Sequence, residues 1–362
     1  MVNSNARAAL ITLCLSLLLV TVECYPCTSF CLHSDNRPIV GKNFDWSTGV
    51  GLVIVNKRGL QKVAAQYRNE AYGKPAHWES KFGSVTFNQF GREFPMGGIN
   101  EAGLVVELLM LAESEYPDPD SRPSISMLQW VQYQLDNFRT TREVIESDSH
   151  LRIFPPLLGP GVHYFVSDRE GNCASIEFLG GKAVWHAGKS LPVRVLTNRT
   201  YEDSLRAWGK NKQSHSNRSY GAGRFVRAAE LLGNYYGNKG EGPVEYAFSI
   251  LENVSQGSFT KWSLVYDIAS LTVYFRTSSK EKVRYVSLRS FDLSCESPVL
   301  VLDVNRGLQG NVGNMFTQYT KKINRLLVQG AFGGMSFGTV ERQKVLDLIT
   351  AYPQASICHP RR

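Results

Sequence analysis

A run of about fifteen mostly apolar residues, Ala8 to Val22, follows the single positive charge of Arg7 and leads directly into "VECYPCTSFC". A charged n-region and a short greasy h-region are the pattern of a secretory signal, and the run is short for a membrane span. Val22 at −3 and Cys24 at −1 fit the small-residue cleavage rule, which leaves Tyr25 and Pro26 ahead of Cys27. Residues 1–26 are therefore expected to be a signal peptide and short pro-segment. Residues 27–362 are expected to fold as a single domain whose first element is the β-prone "CTSFCLH". No later run approaches the roughly 18 apolar residues of a spanning helix, so no stable membrane anchor is expected. The expected destination is secreted or periplasmic, or the secretory and lysosomal pathway of a eukaryote.

From Cys27 onward there are five cysteines: Cys27, Cys31, Cys173, Cys295 and Cys358. An odd count in an exported chain predicts one free thiol and up to two disulfides. The C-x₃-C pair Cys27/Cys31 has no second Cys/His pair at metal spacing, so no metal is expected. The net charge of +8 favours anionic ligands or surfaces. Its lysines and arginines are scattered and form no basic block, which argues against nucleic acid as a partner.

The first half reads as strand-rich: "RPIVGKNFDW", "VGLVIVNKRG", "GSVTFNQFG" and, after an Asn-Glu-Ala-Gly turn, "GLVVELLMLAE". "SISMLQWVQYQLDNF" carries Ile125, Leu128, Val131, Tyr133 and Leu135 at near-helical spacing. "TTREVIESD" opens another helix with Thr140 or Thr141 as its cap. A meander from Val162 to Gly188, with turns at 168–172 and 180–181, precedes helices in "GRFVRAAELLGNYY" and "VEYAFSILENV". Two further strand runs, "WSLVYDIASLTVYFRT" and "KVRYVSLRSF", and a helical C-terminal part complete an α+β pattern. His163 and His186, in strand-like runs, read as hydrogen-bonded structural residues. No cysteine sits in the local signature of a papain-like protease.

A chain that starts at Cys27 would carry a thiol and a free α-amine on one residue. The amine, with a pKa of about 7.7–8.0, can take the thiol proton and later give it to a leaving amine, with no histidine required. The amine needs a carboxylate to hold it, and Asp45 in "GKNFDW" is the candidate.

In order along the chain, "CTSF", "GKNFDW", "GGINEAGLVVELLMLAESEYP", "LTNRTYEDS" and "YGAGRFVRAAELL" resemble the choloylglycine hydrolase family of N-terminal-nucleophile (Ntn) hydrolases, which includes bile salt hydrolases and penicillin V acylases. The resemblance implies a four-layer αββα sandwich and cofactor-free hydrolysis of a linear carbon–nitrogen amide bond. Conjugated bile salts, penicillin V and acyl homoserine lactones are the substrate types it covers. By the same resemblance Cys27 is the nucleophile and Asp45 the carboxylate holding it. Asn198 supplies the side-chain oxyanion donor, the Met110 backbone N–H the second donor, and Arg224 organises the charges. Met110, Leu108 and Trp46 would lie around the nucleophile and favour an apolar acyl group. Many members carry arginine three residues before the aspartate, whereas this chain has Lys42, whose charge can lower a thiol pKa but which lacks the planar fork. A small-molecule N-acyl amide is the expected partner, and related enzymes are often homo-oligomers. Asn198, Asn217 and Asn253 all stand in N-x-[ST] sequons; a catalytic Asn198 would be spared by burial, and Asn217 is the expected glycan carrier. The alternative is a catalytically silent member acting as a secreted binding protein, suggested by Lys42 and by Tyr25–Pro26.

Overall fold

The computed structural model describes residues 27–34, 37–66, 72–155, 160–211, 222–235, 240–333 and 339–359. Residues 1–26, expected to be a signal and pro-segment, and the Asn217 sequon lie outside them. Two large sheets dominate. In the seven-stranded sheet the spatial order runs Val195–Leu196, Thr28–Ser34, Arg37–Asp45, Thr260–Asp267, Thr272–Thr277, Lys280–Ser287 and Gly310–Asn311. The nine-stranded sheet runs Lys182–Ala187, Cys173–Leu179, Val162–Ser167, Val105–Met110, Gly97–Asn100, Ser84–Asn88, Leu52–Asn56, Leu300–Asp303 and Thr317–Gln318. Pairing is antiparallel throughout, apart from the Lys280–Ser287/Gly310–Asn311 contact.

Helices Ala222–Asn234 and Pro243–Asn253 cover the outer face of the seven-stranded sheet, and Met127–Asn137 covers the nine-stranded one. The result is the expected α+β sandwich, helices outside and sheets within. Strands packed on both faces bury every residue, polar ones included. Arg37–Asp45 is buried from Pro38 to Asp45, and Val105–Met110 along its whole length. That double burial is why Lys42, Asn43, Asp45 and Glu107 are all inside.

Local signals explain the element ends. Ser126 caps Met127–Asn137 by accepting from Gln129 N–H, and Thr140 forms a reciprocal capping box with Glu143. Gly180 and Gly181 both take positive φ in the expected hairpin turn. Helix Met127–Asn137 is not amphipathic as its spacing suggests: Ile125 lies in a short strand before it, and Gln129, Gln132, Gln134 and Asp136 are buried beside its apolar residues. Much of the polar side is paired internally, with Asp136 accepting from Lys62, Trp78 and Gln132, while Gln129 Nε2 and Gln132 Oε1 have no hydrogen-bond partner among the described residues. The C-terminal part also differs from its helical expectation. Leu300–Asp303 inserts as a strand beside Leu52–Asn56 before helices Lys321–Phe332 and Thr339–Ala351.

One disulfide, Cys295–Cys358, fastens the C-terminal strand Ile357–Cys358 near its partner Leu60–Val63. Cys27, Cys31 and Cys173 are free thiols and all buried, where the cysteine count predicts one free thiol if both disulfides form. Among the described residues no helix is long and apolar enough to cross a membrane.

Candidate active site

Cys27 stands at the head of strand Thr28–Ser34, 4% exposed. Strand alternation puts Cys27, Ser29, Cys31 and His33 on one face and Thr28, Phe30, Leu32 and Ser34 on the other. The first face looks into the sandwich, where Cys31 Sγ lies 3.7 Å from Ser167 Oγ of the opposite sheet. On the second face, toward the helices, Thr28 meets Arg224 and Ser34 meets Tyr235.

The neighbouring strand delivers Lys42 and Asp45. Cys27 Sγ lies 3.9 Å from the Asp45 carbonyl oxygen, a long thiol contact. Lys42 crosses the interior, donating to the Leu108 carbonyl at 2.5 Å, with Glu107 Oε2 3.6 Å away. Tyr266 donates to the other Glu107 oxygen at 2.5 Å. The Asp45 carboxylate is fully buried, and neither of its oxygens has a hydrogen-bond partner among the described residues. Such an orphaned acceptor pair is costly unless a cation or donor reaches it.

Asn198 follows the edge strand Val195–Leu196 and donates its Nδ2 to the Met110 carbonyl at 2.7 Å. Arg224, on helix Ala222–Asn234, donates to Asn198 Oδ1 at 3.2 Å, to Thr28 Oγ1 at 2.7 Å and to the Cys27 carbonyl. Because a guanidinium only donates, it fixes Asn198 Oδ1 toward itself and turns the amide Nδ2 toward Met110. The ladder also orients Met110. Leu111 N–H bonds Gly161 O across the sheet, while Val162, opposite Met110, is bonded to Tyr116 and Ser114 instead. Antiparallel alternation therefore turns Met110 away from the Val162–Ser167 strand. In an extended residue N–H and C=O point to the same side, so the Met110 N–H faces the side on which its carbonyl meets Asn198.

Burial sets the protonation states. It pushes the Cys27 thiol above its ordinary 9.0, although Lys42 and Arg224 pull it down; Asp45 adds to the rise. The resting thiol is neutral and needs a base. Burial raises the Asp45 carboxyl to about 6, against the lowering influence of Thr260, Arg224 and Lys42. Thr260 is near enough to matter electrostatically, but its hydroxyl accepts from Ser255 and Gln256 and does not reach the carboxylate in hydrogen-bond geometry. Glu107 is raised to about 7 by burial, opposed by Lys42 and Tyr266.

All the residues expected at the site converge: Cys27, Lys42, Asp45, Leu108, Met110, Asn198 and Arg224 are linked directly or through one neighbour. Leu108 takes part through its carbonyl. Trp46 follows Asp45 and is half-buried, stacked on Phe44 and edge-on to Phe90, an aromatic wall beside the centre. Asn198 is only 8% exposed, as expected of a spared sequon, whereas Asn253 is exposed at a helix end. His163 is structural, held 3.0 Å from Glu177. Sequence reasoning missed Glu107, Tyr266 and Thr28. The first had a signal, a lone charge within the apolar run "LVVELLM".

Residues 27–218 match the family of linear amide C–N hydrolases, choloylglycine hydrolase family. The chain is 29% identical over 349 residues to a penicillin V acylase of Pectobacterium atrosepticum, covering 81% of this chain and 90% of that protein. Among solved structures it resembles the penicillin V acylase of Agrobacterium tumefaciens, with 29% identity, a TM-score of 0.69 and coverage of 81% of this chain and 98% of that one. The conjugated bile acid hydrolase of Clostridium perfringens, in its R18L variant, shares the fold at 18% identity and a TM-score of 0.64, covering 78% and 98% of the two chains.

Proposed function

As a member of the choloylglycine hydrolase family, this chain is a linear amide C–N hydrolase, and we propose that Cys27, freed at its amine by removal of residues 1–26, cleaves N-acyl amides with an apolar acyl group. The observation that carries this reading is the buried Asp45 carboxylate, without a hydrogen-bond partner among the described residues, beside a buried thiol at the head of a strand. A Cys27 α-amine would donate to it at rest, and the ammonium formed when that amine takes the thiol proton would neutralise it.

The chemistry follows from the geometry. The Cys27 amine takes the thiol proton, and the thiolate attacks the substrate carbonyl. Asn198 Nδ2 and the Met110 N–H donate to the developing oxyanion; Asn198 has a second N–H besides the one given to Met110. The ammonium then protonates the leaving amine, and an acyl thioester remains on Cys27. Water, deprotonated by the same amine, hydrolyses it. Arg224 holds the Cys27 carbonyl, Thr28 and Asn198 in one frame. Lys42 supplies the positive charge nearest in effect to the thiol. The Trp46–Phe44–Phe90 aromatic group suits an aromatic or fatty acyl side.

The signal-like N-terminus supports an exported enzyme, whose signal cut after Cys24 would leave Tyr25–Pro26 for a second step. Mass spectrometry of the active protein tests the maturation: a start at Cys27 is expected, and full activity in protein that begins at Tyr25 would refute the mechanism. Substrate class is tested by assaying a conjugated bile salt, penicillin V, a long-chain acyl homoserine lactone and casein side by side. At least one amide should be cleaved and the cleavage lost in Cys27→Ser. Casein cleavage abolished by that variant, with none of the three amides turned over, would defeat the reading.

A further inference from the structure

On the interior face that begins with Cys27, two alternations further along, Cys31 meets Cys173 of the opposite sheet. The thiol sulfurs of Cys31 and Cys173 and a ring nitrogen of His33 all lie within 4.8 Å of one another. Both thiols also contact one hydroxyl, Ser167 Oγ, at 3.7 and 3.5 Å. The amide-cleaving centre uses neither of them. A cavity of about 300 Å³ at the edge of the seven-stranded sheet reaches Cys31 of the pair, lined also by His33, Arg194, Trp208 and Leu232.

We infer that Cys31 and Cys173 are a redox pair, which a small anionic disulfide entering this cavity converts into a second disulfide joining the two sheets. The sulfurs lie within 4.8 Å of each other, and side-chain rotation with a small approach of the two sheets would close that gap to the ~2.05 Å of a bond. The two thiols differ in reactivity. The proximity of Cys173, with Ser167 and Arg194, holds the Cys31 thiol below its ordinary value despite its burial, whereas burial drives Cys173 well above. Cys31, which lines the cavity beside Arg194, is therefore the attacking sulfur, and Cys173, which does not line it, the resolving one. Arg194 gives the cavity a positive charge to attract an anionic oxidant, and His33 is its half-exposed neighbour.

The exchange balances with glutathione disulfide as oxidant. Cys31 attacks one sulfur of glutathione disulfide, forming a mixed disulfide and expelling one glutathione, which takes the Cys31 proton. Cys173 then attacks the Cys31 sulfur and expels the second glutathione, which takes the Cys173 proton. Two protein thiols are oxidised by two electrons, and one glutathione disulfide is reduced to two thiols.

The full chain is equilibrated with glutathione disulfide, quenched with alkylating agent under denaturing conditions and mapped by peptide mass spectrometry without reduction. A Cys31–Cys173 bridge is expected, with a higher thermal midpoint than the reduced protein. In Cys173→Ala, glutathione should remain trapped on Cys31; in Cys31→Ala, Cys173 should stay unmodified. Three results would overturn the inference: complete alkylation of both cysteines after the oxidant has reacted elsewhere, glutathione on Cys173 in Cys31→Ala, or stoichiometric zinc or copper retained on Cys31, His33 and Cys173 in place of the bridge. The wild-type map decides the question even where a variant does not fold.

Discussion

Replacing Glu107 with glutamine would remove a titration from the middle of the sandwich. Burial carries this carboxyl from an ordinary 4.5 to about 7, in spite of Lys42 and the Tyr266 hydroxyl. A folded-state value above the unfolded one means that the folded protein holds the proton more tightly. The stabilisation is complete below the unfolded value and is lost as pH climbs through about 7. A rise from 4.5 to about 7 is worth about 3 kcal/mol at 1.36 kcal/mol per tenfold change. Glutamine preserves the shape and the Tyr266 contact but cannot ionise. Lys42 loses a carboxylate but retains the Leu108 carbonyl, so its cost lowers the whole Glu107→Gln curve without adding slope in this window. Asp45 contributes with the same sign, but its rise ends at about 6. Urea unfolding from about pH 4.5 to 7.5 should therefore show wild type losing about 3 kcal/mol more than Glu107→Gln, the difference building at about 1.4 kcal/mol per pH unit up to about pH 7. Parallel curves for the two proteins between about pH 4.5 and 7 would refute a neutral, buried Glu107 at the lower end of the window.

Three further outcomes are expected. Asn198→Ala should lower kcat by about 10²–10³ through loss of one oxyanion donor; it should also cost about 1–2 kcal/mol in urea unfolding, since Met110 O and Arg224 lose a partner. Gly97→Ala should destabilise by about 2 kcal/mol and reduce turnover, because its Cβ would fall 2.2 Å from Glu107 Oε2, directly across the strand pair; unchanged stability by thermal melting would contradict that packing. The double variant Cys295→Ala/Cys358→Ala should lose about 4 kcal/mol, from a bridge spanning 63 residues, while keeping its specific activity in amide assays at low temperature.

Much of this site was legible because its residues sit in short motifs on regular strands. The need of a Cys27 amine for a carboxylate pointed to Asp45 in "GKNFDW", and the family resemblance set Lys42 near the thiol. The Asn198–Met110 link joins residues 88 positions apart and came only through the family resemblance. Glu107 was passed over because "LVVELLM" reads as a simple apolar run, and only the cross-sheet approach of Lys42 gives its charge a purpose. Strand Leu300–Asp303 was missed for a different reason: four residues carry too little periodicity to separate from a loop, and their place beside Leu52–Asn56 is a long-range choice. Helix Met127–Asn137 misled through its polar residues, since glutamines that look solvent-facing in sequence each find at least one partner inside the fold.

Lys42 reaching Leu108 and Asn198 reaching Met110 are polar ties from one sheet to the other, both made within the catalytic neighbourhood. The spacing between the sheets and the spacing between the reacting groups are thus a single dimension. Sliding one sheet over the other to admit a bulkier acyl chain would pull the oxyanion donors off the nucleophile. New substrate preferences in a protein built this way must arise at the rim, in the turns and loops that border the centre, while the middle of the sandwich tolerates little drift.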